Sequence, residues 1–312
     1  MVRVAAIDCG TNSIRLLVAD LTDGKLVDVH REMRIVRLGQ DVDATGRLAS
    51  GALERTRLAL ADYVAIARRV DAQRVRMVAT SATRDAANRD DFFAMVRHTL
   101  GTDAEVITGD EEARLSFTGA VGDLDPADGP FVVVDVGGGS TEVVLGEWDG
   151  TRPDVTAARS VNVGCVRITE RHLHSDPPTA AEISAARQFA AQTLQAVFAS
   201  VPVQKARTWV GVAGTVTTLS AVAQRLPGYD AERTHLSRLS LEQLRDTAQS
   251  LLASTRRQRA ANPVIHPGRV DVIAGGAVIV AVLAEELHDR AGITELVVSE
   301  HDILDGIALG LG

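Results

Sequence analysis

Two short stretches of the sequence decide the fold, Val4–Ser13 (VAAIDCGTNS) and Phe131–Ser140 (FVVVDVGGGS). Each begins with an apolar run, reaches an aspartate, and passes through a turn of glycine and small polar residues. Each then enters a second apolar stretch, residues 14–20 and 141–147. Apolar runs separated by a glycine-containing turn are typical of β-hairpins. The recurrence of the pattern predicts two duplicated halves, each opened by one hairpin.

The residues after each hairpin repeat one order of elements, which apolar periodicity predicts to be a third strand followed by helices and further strands. In the first half we expect strands at 26–38, 75–79 and 105–108 and helices at 50–67, 82–100 and 110–120, the last with Asp110 as its N-cap. In the second half we expect strands at 155–163, 208–212 and 295–299 and helices at 165–173, 180–199, 241–255, 270–287 and 302–309. The polar segment 122–130 is rich in turn residues, as an interdomain boundary should be. We therefore predict two α/β domains, residues 1–124 and 125–312, with the active cleft between them.

Composition limits the classes of function. The net charge of −8 and the isoelectric point of about 5.5 argue against a protein that coats nucleic acid or an anionic membrane, because both need a basic face. No apolar run reaches the roughly 18 residues of a membrane span, and the N-terminus does not resemble a signal peptide. Two isolated cysteines fit a reducing compartment, so we expect a cytoplasmic protein.

The two hairpin turns are the predicted ligand-binding elements. Consecutive backbone N–H groups in such a turn form a nest that binds phosphate oxygens, and glycine lets the ligand approach the backbone closely. The expected phosphate-binding residues are Gly10, Thr11, Asn12 and Ser13 in the first turn and Gly137, Gly138, Gly139, Ser140 and Thr141 in the second. Asp8 and Asp135 end the preceding strands, where a carboxylate can hold Mg²⁺, a cation that prefers oxygen ligands.

The paired hairpins and the segment Gly211–Thr218 (GVAGTVTT) resemble the actin, Hsp70 and sugar kinase superfamily. Within it, the sequence is similar to the exopolyphosphatase and guanosine pentaphosphatase family. The segments that carry this resemblance are 80–88 (TSATRDAAN), 109–115 (GDEEARL), 135–142 (DVGGGSTE) and 163–167 (VGCVR). The resemblance implies two duplicated actin-like, ribonuclease H-like domains in a short form without further C-terminal domains. It also implies that the last helix, 302–312, packs back on the first domain.

The same resemblance implies roles for individual residues. Glu112 would be the general base that activates the attacking water, and Arg84 would contact phosphate. Asp135 and Glu142 would support the metal or the water. Together with Asp8, which ends its strand, they are the expected ligands of Mg²⁺ or another divalent cation. Adjacent residues on a helix are about 100° apart, so only one of the three acidic residues 110–112 is expected to face the site.

Several functions share these motifs. The favoured one is exopolyphosphatase activity on inorganic polyphosphate, because an aromatic content of 3% offers few side chains to stack on guanine. The alternatives are hydrolysis of the stringent-response nucleotide guanosine pentaphosphate, an alarmone or phosphate-chain sensor with weak turnover, and an ATP-dependent kinase that uses residues 211–218 for adenosine. The sequence does not indicate an oligomeric state; a homodimer is one candidate, by analogy with superfamily relatives that are often dimers. The pairs His172/His174 and Glu300/His301 have no partner spacing that indicates a metal site.

Overall fold

The computed structural model describes all 312 residues and divides into two compact units. The first unit contains Met1–Gly119 and Ile303–Gly312, and the second contains Ala120–Asp302. The boundary therefore lies slightly before the one expected at 124/125, and the last helix belongs to the first unit.

The chain forms eleven strands and thirteen α-helices. The strands are β1 (Val2–Cys9), β2 (Ser13–Thr22), β3 (Lys25–Ile35), β4 (Arg74–Ala79), β5 (Glu105–Val106), β6 (Phe131–Val136), β7 (Thr141–Trp148), β8 (Pro153–Val161), β9 (Thr208–Val212), β10 (Arg238–Ser240) and β11 (Glu295–Val298). The helices are α1 (Val42–Thr45), α2 (Ser50–Arg69), α3 (Ser81–Asp85), α4 (Arg89–Leu100), α5 (Gly109–Ala120), α6 (Cys165–His172), α7 (Ala180–Phe198), α8 (Ala213–Ala223), α9 (Ala231–Thr234), α10 (Leu241–Ala253), α11 (Arg256–Ala260), α12 (Ile273–Ala291) and α13 (Ile303–Leu309).

The first unit is a five-stranded sheet in the order β3-β2-β1-β4-β5, antiparallel across β1 to β3 and parallel across β1, β4 and β5. Strand β1 is buried on both faces, and successive side chains of a strand point to opposite faces. Its odd-numbered residues Ala5 and Ile7 belong to the apolar core that includes residues of α2 and α4. Its even-numbered residues Val4 and Ala6 pack in a second core with α13. Asp8 continues the even-numbered series at the carboxyl end of the strand.

The second unit is a six-stranded sheet in the order β10-β11-β9-β6-β7-β8. Strand β6 pairs antiparallel with β7 and parallel with β9, as β1 pairs with β2 and β4. One large apolar core contains residues from β6 and from α7, α8, α10 and α12. The two sheets share the order of three antiparallel strands followed by two parallel ones, apart from the added edge strand β10. The duplication inferred from the hairpins thus extends to the whole sheet.

The prediction of one helix over 82–100 is wrong, because the chain forms α3 and α4 with a break between them. Ala86 has an extended backbone, and the side chain of Asn88 both accepts from the N–H and donates to the carbonyl of Leu48, at 2.8 and 3.1 Å. These long-range bonds hold the break open. Asp110 is also not an N-cap: α5 begins at Gly109, and the hydroxyl of Thr108 accepts from the N–H of Glu111 at 3.2 Å.

No helix combines the length and apolar character that a membrane span requires.

Packing of α13 against α5 predicts a strong effect of one added methyl group. A Cβ at Gly306 would lie 2.1 Å from the carbonyl oxygen of Leu115, a backbone atom that cannot move aside. We expect Gly306→Ala to lower the free energy of unfolding by about 1–3 kcal/mol or more. The matched control is Gly310→Ala, whose Cβ would meet only ordinary contacts at 3.5 Å and beyond. Urea unfolding of both variants measures the difference, and equal stabilities would contradict this account of the helix contact.

Candidate active site

Each hairpin turn is closed by the same hydrogen bond. The N–H of Gly10 donates to the carbonyl of Ser13 at 2.9 Å, and the N–H of Gly137 donates to the carbonyl of Ser140 at 3.1 Å. The two turns are therefore built alike, as the sequence repeat predicts.

The peptides of the second turn are oriented by the chain that follows β8. The first two N–H groups of α6 donate to the carbonyls of Gly137 and Gly138, each at 2.9 Å. Arg167 Nε donates to the carbonyl of Gly139 at 3.0 Å. In a planar trans peptide the N–H points opposite to the C=O. The N–H groups of Gly138, Gly139 and Ser140 must therefore point away from α6, which makes a nest for an anion.

The first turn is oriented in the same way by residues 36–39. The N–H of Gly39 donates to the carbonyl of Thr11 at 2.8 Å, and the N–H groups of residues 36 and 37 both donate to the carbonyl of Asn12, at 3.0 and 2.9 Å. By the same geometry the N–H groups of Asn12 and Ser13 point away from this segment. Each unit thus carries one backbone nest.

Glycine is required where each segment meets its turn. A Cβ at Gly164 would lie 2.4 Å from the carbonyl carbon and oxygen of Gly138, and one at Gly39 would lie 2.3 Å from Cγ2 of Thr11. Both separations are far below van der Waals contact. Any larger residue would push the segment off the carbonyls that it holds.

Glu112 is the buried member of the acidic first turn of α5. Its exposed fraction is 8%, whereas Asp110 is exposed and Glu111 is half-buried with an ion pair to Arg76 at 3.1 Å. Arg84 Nη1 donates to Glu112 Oε2 at 2.7 Å and to the carbonyl of Ile107 at 3.0 Å. The Nε and Nη2 hydrogens of the same guanidinium are not used in these two bonds. Arg84 can therefore hold the Glu112 carboxylate in place and still contact a phosphate group.

Burial raises the pKa of Glu112 to about 7. Arg84 opposes this increase through its charge and its hydrogen bond, Asp8 adds to it as a like charge, and a hydrogen bond with Thr80 opposes it. Loss of solvation is thus the dominant cause, and it disfavours the charged form of a carboxylate. A base with a pKa near neutral pH is well matched to proton transfer.

The two hairpins carry different charges at equivalent positions. Asp8 pairs across the β1–β2 ladder with Arg15, whose Nε and Nη2 both donate to Asp8 Oδ2, at 3.0 and 2.7 Å. Asp135 pairs across the β6–β7 ladder with Glu142 instead. Directly opposed side chains lie close together on one face of a sheet. The first hairpin therefore provides its own counter-charge, whereas the second places two buried carboxylates side by side.

The donor set at Asp135 and Glu142 fits a hard divalent cation. Both carboxylates are buried, with exposed fractions of 6% and 1%, and the hydroxyl of Ser160 orients one of them by donating to Glu142 Oε1 at 2.6 Å. Two carboxylates offer only oxygen ligands, which is the preference of Mg²⁺. A cation here would also offset two like charges that burial makes costly.

A model of the Ppx/GppA phosphatase family matches residues 17–310. The chain belongs to this family. The predicted family resemblance and the predicted fold class, α/β with two duplicated actin-like domains, are both confirmed.

Known members of the Ppx/GppA phosphatase family are similar over the full length. The chain is 60% identical to Exopolyphosphatase 2 of Mycobacterium tuberculosis over 320 aligned positions, covering 100% of this chain and 99% of that protein. A solved exopolyphosphatase-like protein is 43% identical with a TM-score of 0.95, covering 100% of this chain and 99% of the other. A Ppx/GppA family member of Aquifex aeolicus is 32% identical with a TM-score of 0.79, covering 99% and 97% of the two chains.

Two candidate ligand-binding features of this Ppx/GppA chain, Thr141 and the segment 211–218, make contacts within the protein. The hydroxyl of Thr141 donates to the carbonyl of Val163 at 2.6 Å, which argues against this side chain as a phosphate donor. In the segment 211–218, a Cβ at Gly214 would lie 2.1 Å from Nη2 of Arg269, so that glycine makes room for a guanidinium. A side chain at position 214 would require this flexible guanidinium to shift.

Sequence reasoning missed Arg15, Ser160 and the segment 36–39. A signal for Arg15 was available, because Asp8/Arg15 and Asp135/Glu142 occupy equal spacings in the two copies of the repeat. Ser160 lies on β8, opposite Glu142 across the β7–β8 ladder, and no motif indicates that partnership.

The raised pKa of Glu112 predicts a pH-dependent stability cost. The folded protein keeps this proton up to about pH 7, whereas the unfolded chain releases it near the ordinary value of 4.5. Between these values the unfolded state binds fewer protons, so the free energy of unfolding falls as pH rises. We expect Glu112→Gln to gain stability relative to the wild type across this window, by on the order of 1–3 kcal/mol. Urea unfolding in EDTA at several pH values measures the gain, and parallel pH curves would contradict the assignment.

Proposed function

We propose that this protein is an exopolyphosphatase, which hydrolyses the terminal phosphoanhydride bond of inorganic polyphosphate and releases orthophosphate. The observation that carries the proposal is the buried Glu112–Arg84 pair, in which a carboxylate with a pKa raised to about 7 is hydrogen-bonded to a guanidinium. The name of the relative at 60% identity, Exopolyphosphatase 2, supports the choice of substrate.

The backbone nests bind the substrate in this proposal. The N–H groups of Gly138, Gly139 and Ser140 and those of Asn12 and Ser13 donate to phosphate oxygens. Their orientation is fixed before the ligand arrives, because the opposite carbonyls are already bonded. A preorganised donor stabilises charge without a cost of reorganisation during the reaction. This arrangement recognises phosphate and not the group beyond it.

Glu112 acts on the attacking water. Its ionised carboxylate accepts a proton as the water oxygen bonds to the terminal phosphorus. The bond from that phosphorus to the bridging oxygen breaks, and the shortened chain leaves with the electron pair. Arg84 holds the carboxylate through Nη1 and offers its remaining hydrogens to the transferring group, whose charge is spread over its oxygens in the transition state.

Asp135 and Glu142 of the second unit would hold Mg²⁺ or another divalent cation. The cation would neutralise phosphate oxygens and orient the chain. The charge difference between the hairpins favours a cation at the second one, because Arg15 already compensates the charge of Asp8 at the first. Asp135 and Glu142 are therefore the principal ligands in this proposal.

We also propose a cytoplasmic location. Cys9 and Cys165 are both free and buried, and burial raises the pKa of both thiols. Buried, protonated thiols of this kind are expected in a reducing compartment.

The test is phosphate release from polyphosphate, guanosine pentaphosphate and ATP with Mg²⁺, comparing Glu112→Gln with Glu111→Gln. We expect polyphosphate to be the preferred substrate, and Glu112→Gln to lower kcat/KM by about 10²- to 10⁴-fold, the usual contribution of a general base. The control lies one residue away, on the partly exposed side of the same helical turn. It should change kcat/KM only a few-fold.

The pH profile supplies a second readout. Since the base must be ionised, kcat/KM of the wild type should rise through about pH 7 and then level off, and the residual activity of Glu112→Gln should lack this rise. Full activity in Glu112→Gln would remove the proposed base. Preference for guanosine pentaphosphate would keep the mechanism and change the substrate, and tight binding without turnover would indicate a sensor.

A further inference from the structure

Three side chains that are distant in the sequence meet in the second unit, outside the site described above. Asp123 follows α5, His235 follows α9, and His301 lies between β11 and α13. Asp123 Oδ2 lies 2.8 Å from His301 Nδ1 and 3.3 Å from His235 Nε2. The imidazole centroids are 4.8 Å apart. Its three members lie far apart in the sequence, so only the fold assembles this cluster.

Neighbouring groups hold the cluster in place. The backbone N–H of Glu300 donates to His235 Nδ1 at 3.2 Å, and the Glu300 carboxylate accepts from the hydroxyls of Tyr229 and Thr234. Ser299 Oγ accepts from the N–H of His301 at 3.1 Å and donates to its carbonyl at 2.9 Å. These bonds hold the His235 ring and the backbone of His301 in place in the metal-free protein.

We propose that Asp123, His235 and His301 form a binding site for a transition metal ion, with Zn²⁺ as the representative ion. Two imidazole nitrogens and one carboxylate oxygen are a ligand set of zinc and related ions, whereas Mg²⁺ prefers oxygen alone. The site therefore differs in chemistry from the all-oxygen pair Asp135 and Glu142.

The spacing supports this assignment. Zinc bonds to nitrogen and oxygen are about 2.0–2.2 Å long, so neighbouring ligands of one ion lie roughly 3.0–3.5 Å apart. Of the two distances from Asp123, the one of 3.3 Å lies in that range and the one of 2.8 Å lies just below it. All three ligand atoms lie within 4.8 Å of one another. Closing the widest separation needs about 1 Å of side-chain movement. The three side chains are 22–47% exposed, which leaves room for water ligands and for entry of the ion.

One hydrogen bond opposes binding. Because His235 Nδ1 accepts from Glu300, its Nε2 carries the proton in the metal-free protein and donates to Asp123. Metal at Nε2 moves the proton to Nδ1 and breaks the bond from Glu300. A single neutral hydrogen bond of this kind is weak compared with the bonds of zinc to two imidazoles and a carboxylate. The ion should therefore outcompete the hydrogen bond, and the Glu300 amide should report the change.

The test is a calorimetric titration of EDTA-treated, dialysed protein with ZnCl₂ in excess Mg²⁺, which occupies the oxygen ligands, and without phosphate substrate. We expect one tight zinc ion per chain, and a loss of affinity of about tenfold or more in His235→Gln, His301→Gln and Asp123→Asn. The control is His98→Gln, an exposed histidine on α4, which should bind like the wild type. Circular dichroism of the metal-free variants confirms folding.

Two spectra strengthen the test. Co²⁺ in place of Zn²⁺ should give visible absorption that His301→Gln loses, and the amide resonance of Glu300 should shift when zinc binds. Equal zinc binding by the wild type and His301→Gln, or an unshifted Glu300 amide, would overturn the site and leave a hydrogen-bonded Asp–His cluster. The outcome is independent of hydrolytic activity.

Discussion

The planarity of the peptide bond is the constraint on which the site depends. Where a following segment binds the carbonyls of a turn, the N–H groups of the same peptides must face the other way. The chain applies this rule twice, with α6 against Gly137–Gly139 and with residues 36–39 against Thr11 and Asn12. Close contact is possible only because Gly164 and Gly39 lack a Cβ. Under the proposed function, phosphate recognition depends on backbone geometry and needs few charged side chains, which is consistent with a net charge of −8.

The two hairpins of the repeat have the same backbone structure but differ in the charge of one side chain. The residue opposite Asp8 is Arg15, and the residue opposite Asp135 is Glu142. One carboxylate is compensated within the protein, while the other is placed beside a second carboxylate and favours a cation. The first unit adds Glu112, whose burial keeps its pKa near neutral. Under the proposed function, the turns bind phosphate, Asp135 and Glu142 hold the cation, and Glu112 on α5 is the base.

Much of the fold and of the candidate site could be predicted from the sequence, and the exceptions have physical causes. The hairpins were readable because an apolar run, an aspartate and a glycine turn are local features. Burial of one residue among 110–112 followed from helical geometry, and the family motif indicated Glu112. The break between α3 and α4 could not be predicted from the sequence, because it depends on hydrogen bonds between the side chain of Asn88 and the backbone of the distant Leu48. The cluster of Asp123, His235 and His301 was hidden for the same reason, because its members come together only through sheet topology.

Binding of phosphate by the backbone N–H groups of the turns can be measured directly. ¹⁵N-labelled Glu112→Gln protein, in which hydrolysis should be slow, can be titrated with tripolyphosphate in the presence of Mg²⁺ while amide resonances are followed by NMR. The account predicts saturable downfield shifts of the amide protons of Gly138, Gly139 and Asn12, larger than those elsewhere in the chain. Saturable binding that leaves these three amides unmoved would contradict it.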